Sequence, residues 1–272
     1  MHGRVELTAY LVNESRARRP DLAGDRVAAD WIPATERGAV RALWDDFAET
    51  VYPHDDLVVS LRGRFVLDTL SKSLAQNPDT VLVVCGAGFS SYPWLLPFSA
   101  ALEVDLPDIV SAKRRRAAQL VATGVVEDRN VEHLALDLGT TAGRRQLAER
   151  AQELAGGRPV ALVAEGLIFY LYPDAARAMA SLGVSLATHT LTVLSYWPAA
   201  AAGNRVLEAQ RRWFRRHSVP EDSTYLAREE IASLLSGQIQ DHGPEDLQRQ
   251  YLGEVVVPET DLIPEYVAAA VA

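Results

Sequence analysis

The chain holds one cysteine, Cys85, in 272 residues. No internal disulfide can form, so burial and polar contacts must hold the fold, and a reducing cytoplasm is the expected setting. The six histidines are scattered without ligand spacing, which excludes the usual metal clusters. Long apolar runs are missing too. Val160–Phe169 is apolar but too short to span a bilayer, and Glu165 interrupts it. Nothing at the N-terminus looks like a signal peptide. Positive charge is also short: 27 Lys and Arg stand against 36 Asp and Glu, a net charge of −9. General nucleic-acid binding needs a basic face and is therefore not expected. The run Lys113-Arg114-Arg115-Arg116 reads as the solvated face of a helix. No G-x-S-x-G elbow is present, which argues against a serine hydrolase.

What the chain does have is a concentrated stretch from Thr80 to Asp105. Thr80–Val84 is an unbroken β-branched and aliphatic run, as expected for a strand buried on both faces of a parallel sheet. It stops at Cys85-Gly86-Ala87-Gly88. Two glycines one residue apart permit a tight turn and let backbone N–H groups approach a ligand. A second apolar run, Ala100–Val104, carries Glu103 and ends in Asp105; these acids lie 17 and 19 residues after Gly86. In a Rossmann-type sheet an acid at that distance meets the ribose hydroxyls of a nucleotide. The loop does not finish as G-x-G-x-x-G, because Ser91 stands at the third glycine position. That suits a nucleoside cofactor without pyrophosphate better than a dinucleotide.

Helical periodicity covers Leu7–Arg18, Asp25–Trp31, Glu36–Val51 and Leu57–Leu74, ahead of the first strand. These segments form a packing layer or a cap over the site. After Asp105, helices are expected over Ile109–Ala122, Ala142–Leu154, Asp174–Ser181, Asn204–His217 and Ala227–Leu235. Strands are expected at Val131–Leu136, Pro159–Ala164, Thr188–Tyr196, Gln238–His242 and Gly253–Val257. The alternation from Thr80 to Tyr196 indicates an α/β fold with a parallel, doubly wound sheet. No linker or repeat divides residues 1–272. They read as one domain with a cap segment over 1–75, a cofactor core over 76–200 and closing elements over 201–272.

Ligands in such sheets sit beyond the carboxyl ends of the strands. Gly86 and Gly88 follow the first strand, Asp105 ends the second, Asp137 follows the third and Glu165 follows the fourth. Strand-terminal acids also serve as helix caps, so Asp137 alone is ambiguous.

The chain resembles the leucine carboxyl methyltransferase family, including bacterial members that O-methylate small molecules and polyketide-type products. The resemblance is carried by VLVVCGAGFSSYPWLLP (Val81–Pro97), LEVDLPDIVSAKR (Leu102–Arg114), ALDL (Ala135–Leu138), LVAEGLIFYL (Leu162–Leu171) and the N-terminal VNESRARRPDLAGDRVAADWI (Val12–Ile32). It implies a Rossmann-like fold with a mostly parallel seven-stranded sheet, helices on both faces and a helical cap. It implies S-adenosylmethionine as cofactor, S-adenosylhomocysteine as product, and an oxygen acceptor, a carboxylate by preference, on a secondary metabolite or peptide-like product. Gly86, Ala87 and Gly88 would pack against the methionine part. Asp105, with Glu103 and Leu106 beside it, would serve the ribose, and Asp137 and Leu138 the adenine. Glu165 and Gly166 would face the methionine amino group, and Tyr170 would line the transfer site. Arg62, with Arg64 next, would hold carboxylate groups. Independently of the resemblance, the aromatic residues Tyr196 and Trp197 after the fifth strand are candidates for the wall of an apolar acceptor pocket. The expected partner is a small acceptor, with no nucleic acid or membrane, and the expected assembly a monomer or homodimer.

One departure stands out. Family members usually carry Asp-Thr-Arg where this chain has Ser90-Ser91-Tyr92. Cys85 replaces a common leucine and reads as a packed small residue. A hydroxyl acceptor would need a base, and His54, His133, His189 and His217 are candidates by residue type only. Two other readings remain at this point: an NAD-type oxidoreductase, supported by the glycine loop and Asp105, and a non-catalytic member that binds a partner.

Overall fold

A computed structural model of the chain describes residues 5–217 and 224–272. Five helices come first: α1 (Val5–Arg18), α2 (Pro20–Ala23), α3 (Ala28–Trp31), α4 (Arg37–Thr50) and the long α5 (Asp55–Gln76). The sheet then begins, in the order β1 (Val81–Cys85), α6 (Tyr92–Leu95), β2 (Ala100–Asp105), α7 (Pro107–Ala122), β3 (Val131–Ala135), α8 (Thr141–Ala155), β4 (Val160–Ala164), α9 (Pro173–Ala180) and β5 (His189–Pro198). The chain closes with α10 (Arg205–Arg216), β6 (Tyr225–Leu226), α11 (Arg228–Leu234), β7 (Gln238–His242), α12 (Pro244–Leu252) and β8 (Tyr266–Val271). No helix among the described residues is long and apolar enough to cross a membrane.

The strand order is β3-β2-β1-β4-β5-β8-β7, with β6 paired to β5 off this path. β1 runs parallel to β2 and to β4, and β8 runs antiparallel to both β5 and β7. The sheet therefore has eight strands rather than the expected seven, the extra one being the two-residue β6. Every residue of β1 and β4 is buried, which is why both read as continuous apolar runs. Their side chains alternate between two layers. Val83, Cys85, Leu162 and Ala164 pack with Leu147, Ala151 and Met179 of α8 and α9. Leu82, Val84, Ala161 and Val163 pack with Leu57, Leu61 and Leu70 of α5 and Leu247 of α12. The order in which strands are added reverses between β1 and β4, and this leaves a crevice at their carboxyl ends.

Two sequence expectations fail for visible reasons. Gly253–Val257 is not a strand. Gln248 occupies its backbone instead: Oε1 accepts the Val256 and Val257 N–H groups at 2.9 Å each, and Nε2 donates to the Val257 carbonyl at 2.8 Å. The last strand is the alanine-rich β8, whose composition carries little β signal. The helix expected over Asp25–Trp31 shrinks to Ala28–Trp31, because Asp25 accepts the Val27 N–H and a hydroxyl from the site.

The start of α8 sets the loop after β3. Thr140 caps the helix, its Oγ1 accepting the Gly143 N–H at 3.0 Å. A Cβ on Gly143 would fall 2.1 Å from the Asp137 carbonyl oxygen. Helix propensity alone would favour alanine there. The clash is with backbone, so Gly143→Ala is expected to lower stability by ~1–3 kcal/mol in denaturant melts, and an unchanged midpoint would show that the loop can yield.

Candidate active site

A cavity of about 360 Å³ opens at the crevice and runs under the cap. Its two ends differ in construction. One end is made of strand tips. Gly86 and Gly88 follow β1 with φ of 64° and 46°, a region open to glycine at low cost. Asp105 closes β2. Its Oδ2 accepts the Gly88 N–H at 2.7 Å and its Oδ1 the Leu106 N–H at 2.7 Å. Burial pushes its carboxyl up, and these two N–H groups oppose that. Each carboxylate oxygen keeps a free lone-pair direction. Asp137, exposed, accepts the Gly139 N–H at 2.8 Å beside the buried Leu138. Gly166 and Leu106 also line this end.

Beneath lies an ionic cluster. Glu165, at the tip of β4, accepts from Arg16 of α1 at 2.5 Å, from Arg62 of α5 at 2.6 Å and from the Tyr92 hydroxyl. Burial alone would raise its pKa, but Arg16 and Arg62 outweigh it and hold the carboxyl at about 2. Arg62 also pairs with Glu265, which precedes β8. Burial opposes the Arg62 charge, and Glu265 and Glu165 more than offset it, so its pKa rises. Asp25 lies 3.8 Å from Arg16 and accepts from Ser91 Oγ at 2.8 Å; Ser91 in turn accepts from Trp31 Nε1 at 2.9 Å.

The other end is aromatic. Phe47, Tyr52, Phe169, Tyr170, Trp197 and Phe214 line it. Phe169 stacks on Trp197 with centroids 4.3 Å apart and planes within 2°. Asp55 stands among these rings, accepting from Tyr52 at 3.0 Å and Ser15 at 2.5 Å.

The residues expected from sequence divide cleanly. Arg62, Gly86, Ala87, Gly88, Asp105, Leu106, Asp137, Leu138, Glu165, Gly166, Tyr170 and Trp197 all line this one cavity. Three do not. Glu103 stands two residues back from the edge, ~6–7 Å deeper along the strand, and is buried against Lys113 at 2.7 Å, with His133 at 3.3 Å. Lys113 also reaches the Ala87 carbonyl at 3.3 Å, so the pair braces the glycine loop from behind. Arg64 is two positions from Arg62, on the far side of the helix. It pairs with Asp68 at 2.9 Å. Tyr196 faces the opposite side of β5 from Trp197 and donates to Asp241 at 2.9 Å. The four candidate histidines stay off the cavity walls. Cys85 is fully buried, and burial pushes its thiol up.

Arg16, Tyr52, Asp55, Gln210 and Glu265 also line the cavity and carried no distinct sequence signal of a role. The one hint was in α1, where Asn13-Glu14-Ser15-Arg16 interrupts any apolar face, yet all four are buried.

Comparison with known proteins places these features in a family. A sequence model of leucine carboxyl methyltransferase matches residues 6–182. A Mycobacterium sp. (strain KMS) protein, provisionally named an S-adenosyl-L-methionine-dependent methyltransferase, is 34% identical over 122 residues, covering 43% of this chain and 37% of its own. A similarly named Mycobacterium ulcerans protein is 27% identical over 209 residues, covering 72% of this chain and 60% of its own. The chain thus spans between about a third and three fifths of the length of these relatives. Among solved structures, a protein from Thermobifida fusca YX, provisionally named a methyltransferase, aligns with a TM-score of 0.60 at 16% identity, over 86% of this chain and 88% of its own. Magnesium protoporphyrin IX methyltransferase from Synechocystis, solved with S-adenosylhomocysteine, aligns at 0.51 and 13% identity, over 90% and 99%. These likenesses show the fold to be that of Rossmann-like methyltransferases, and the family match, over more than half of the chain, shows that it belongs to the leucine carboxyl methyltransferase family.

Proposed function

We propose that the chain is an S-adenosylmethionine-dependent methyltransferase acting on an oxygen of a small, largely apolar molecule, such as a secondary metabolite or peptide-like product. The observation that carries this is a single cavity joining two unlike ends. A carboxylate preset by two backbone N–H groups stands at one, and an aromatic chamber at the other. Family membership and the names of the relatives support the same reading.

The residues fit the cofactor. Asp105 has lone pairs free for two sugar hydroxyls. Asp137 and Leu138 offer an acceptor and an apolar face to adenine. Arg16, Arg62 and Glu165 present both signs of charge to the amino-acid end. Bound there, the cofactor would supply a methyl group on a positively charged sulfur. The chain's own contribution is alignment and the exclusion of water, which can be worth several kcal/mol. A dinucleotide fits less well. Ser91, at the third glycine position, is buried and tied to Asp25 and Trp31, so the loop does not offer the open backbone that a pyrophosphate needs.

Calorimetry should therefore detect S-adenosylmethionine binding and none of NAD; affinity for NAD, or for neither, would remove this reading. Asp105→Ala should weaken cofactor binding ~10- to 100-fold through loss of charge-assisted hydrogen bonds, with an unchanged circular dichroism spectrum. Glu165 gives a pH signature. Its folded pKa lies below the usual carboxyl value, so its stabilisation is complete above about pH 4.5 and is lost as pH falls through about 2. The difference corresponds to about 3 kcal/mol. Glu165→Gln should cost about 3–5 kcal/mol at neutral pH, because it leaves buried Arg16 with Asp25 at 3.8 Å as its remaining acid and Arg62 with Glu265 alone, and should flatten the acid limb of the stability curve. An acid limb identical to that of the unaltered protein would refute the assignment.

A further inference from the structure

Resting on the methyltransferase reading, the charge of the acceptor chamber identifies the substrate class. Five carboxylates line the cavity, those of Asp55, Asp105, Asp137, Glu165 and Glu265, against two guanidiniums, Arg16 and Arg62. With every group ionised, three negative charges are in excess and about two remain after the single net positive charge of the cofactor; burial pushes Asp55, Asp105 and Glu265 toward the neutral form against that count. Neither guanidinium is free for an anionic acceptor. Arg62 is shared between Glu165 and Glu265. Arg16 is held by Glu165 and Tyr92, with Asp25 close by. No lysine or histidine lines the cavity among the described residues. A carboxylate entering the aromatic end would meet Asp55 and Glu265 with no cation to receive it. The resemblance implies a carboxylate acceptor; the charge balance disfavours one.

Three buried polar atoms in the walls of this end lack partners. Trp197 Nε1, Gln210 Oε1 and Glu265 Oε1 form no hydrogen bond, and their residues are 2%, 6% and 5% exposed. The neighbouring Ser195 hydroxyl favours the charged form of Glu265. Buried polar groups are nearly always satisfied; these three are among twelve unpartnered buried side-chain atoms of the described residues, and they are the ones whose residues line the aromatic end of the cavity. They comprise one donor and two acceptors, among six aromatic rings.

We propose that the chamber takes an uncharged, flat aromatic acceptor bearing a hydroxyl, with Glu265 receiving the hydroxyl hydrogen bond and Gln210 and Trp197 holding the molecule's other polar groups. On transfer, the acceptor O–H bond breaks as its oxygen bonds the methyl carbon. The proton goes to Glu265 Oε1, and the carbon–sulfur electron pair stays on the sulfur of the methyl donor, leaving a thioether. The aromatic pairs Phe169–Trp197 and Tyr170–Phe214 give a ring broad faces and edges to pack against.

The test uses the full chain saturated with S-adenosylhomocysteine, whose binding is measured first by calorimetry. Failure at that step overturns the methyltransferase reading, and this inference with it. The probes are then 2-naphthol and 2-naphthoate at pH 7, where the phenol is neutral and the acid ionised. Naphthol should bind at least about tenfold more tightly. Equal or tighter binding of naphthoate overturns the inference, as does binding of S-adenosylhomocysteine with neither probe. Glu265→Gln should weaken naphthol about tenfold and shrink the naphthol-to-naphthoate preference, since it removes both an acceptor and a charge. If that variant no longer holds S-adenosylhomocysteine, Gln210→Leu decides between the outcomes: weaker naphthol binding at unchanged S-adenosylhomocysteine affinity supports the assignment, and unchanged naphthol binding overturns it.

Discussion

The architecture of the site depends on one buried carboxylate. Glu165 is bonded by side chains from α1, α5 and the start of α6, and it stands at the tip of a fully buried strand. An isolated carboxylate there would be too costly to ionise, and so would an isolated guanidinium. Arg16 and Arg62 are therefore needed by the core, and the core is needed to keep them charged. The ion pairs lock the cap helix α1 over the sheet, and this encloses the cavity. The same locking consumes the positive charge of the pocket, which is why the walls at the acceptor end are left net acidic.

The departure at Ser90-Ser91-Tyr92 makes sense within this cluster. Where the family usually has an acid and an arginine in the loop, this chain has hydroxyls, and the charges enter from the cap. Ser91 donates to Asp25, which lies between α2 and α3. Tyr92 lies 3.3 Å from Arg16 and bonds Glu165. A loop that carried its own ion pair would be self-contained. In this chain the loop and the cap complete each other, so the glycine turn and the roof of the cavity are expected to form as one cooperative unit. From behind, Lys113 ties Ala87 and Ser90 to Glu103. The glycines permit the turn, and these side chains hold it in place.

How far the sequence could be read follows the same division. β1 and β4 were visible because strands buried on both faces leave unbroken apolar runs, and β2 because only Glu103 interrupts its run. Asp105, Asp137 and Glu165 were visible because ligand-facing residues in a parallel sheet gather at strand tips. β8 was not visible, since Tyr266–Val271 is mostly alanine and its strand state comes from pairing with β5 and β7. The apolar Gly253–Val257 misled because a single side chain, Gln248, satisfies its backbone. Glu103 and Asp105 share one strand face, and only depth along the strand separates a brace from a ligand contact. Arg62 and Arg64 differ by helical phase, which a sequence shows only once the buried face is known. Arg16 is brought to Glu165 across 149 residues and Glu265 to Arg62 across 203, and no local pattern records contacts of that range.

The two ends of the cavity therefore carry different kinds of information. The cofactor end is built from backbone turns and strand termini, features that any sequence adopting this sheet must supply. It is common to the fold for that reason. The acceptor end is built from side chains of the cap, of Phe169 and Tyr170 after β4, of Trp197 in β5, of α10 and of the segment before β8. None of these is required by the topology of the sheet. Its acids are stabilised individually, Asp55 by Tyr52 and Ser15, and Glu265 by Arg62. Burial drives both pKa values upward against those partners. Removing Glu265 alone would leave buried Arg62 short of a partner, so this carboxylate serves the ion cluster as well as the chamber wall. On the proposed reading, the same acids set the charge of the acceptor wall, and they would disfavour an anionic guest against a neutral one.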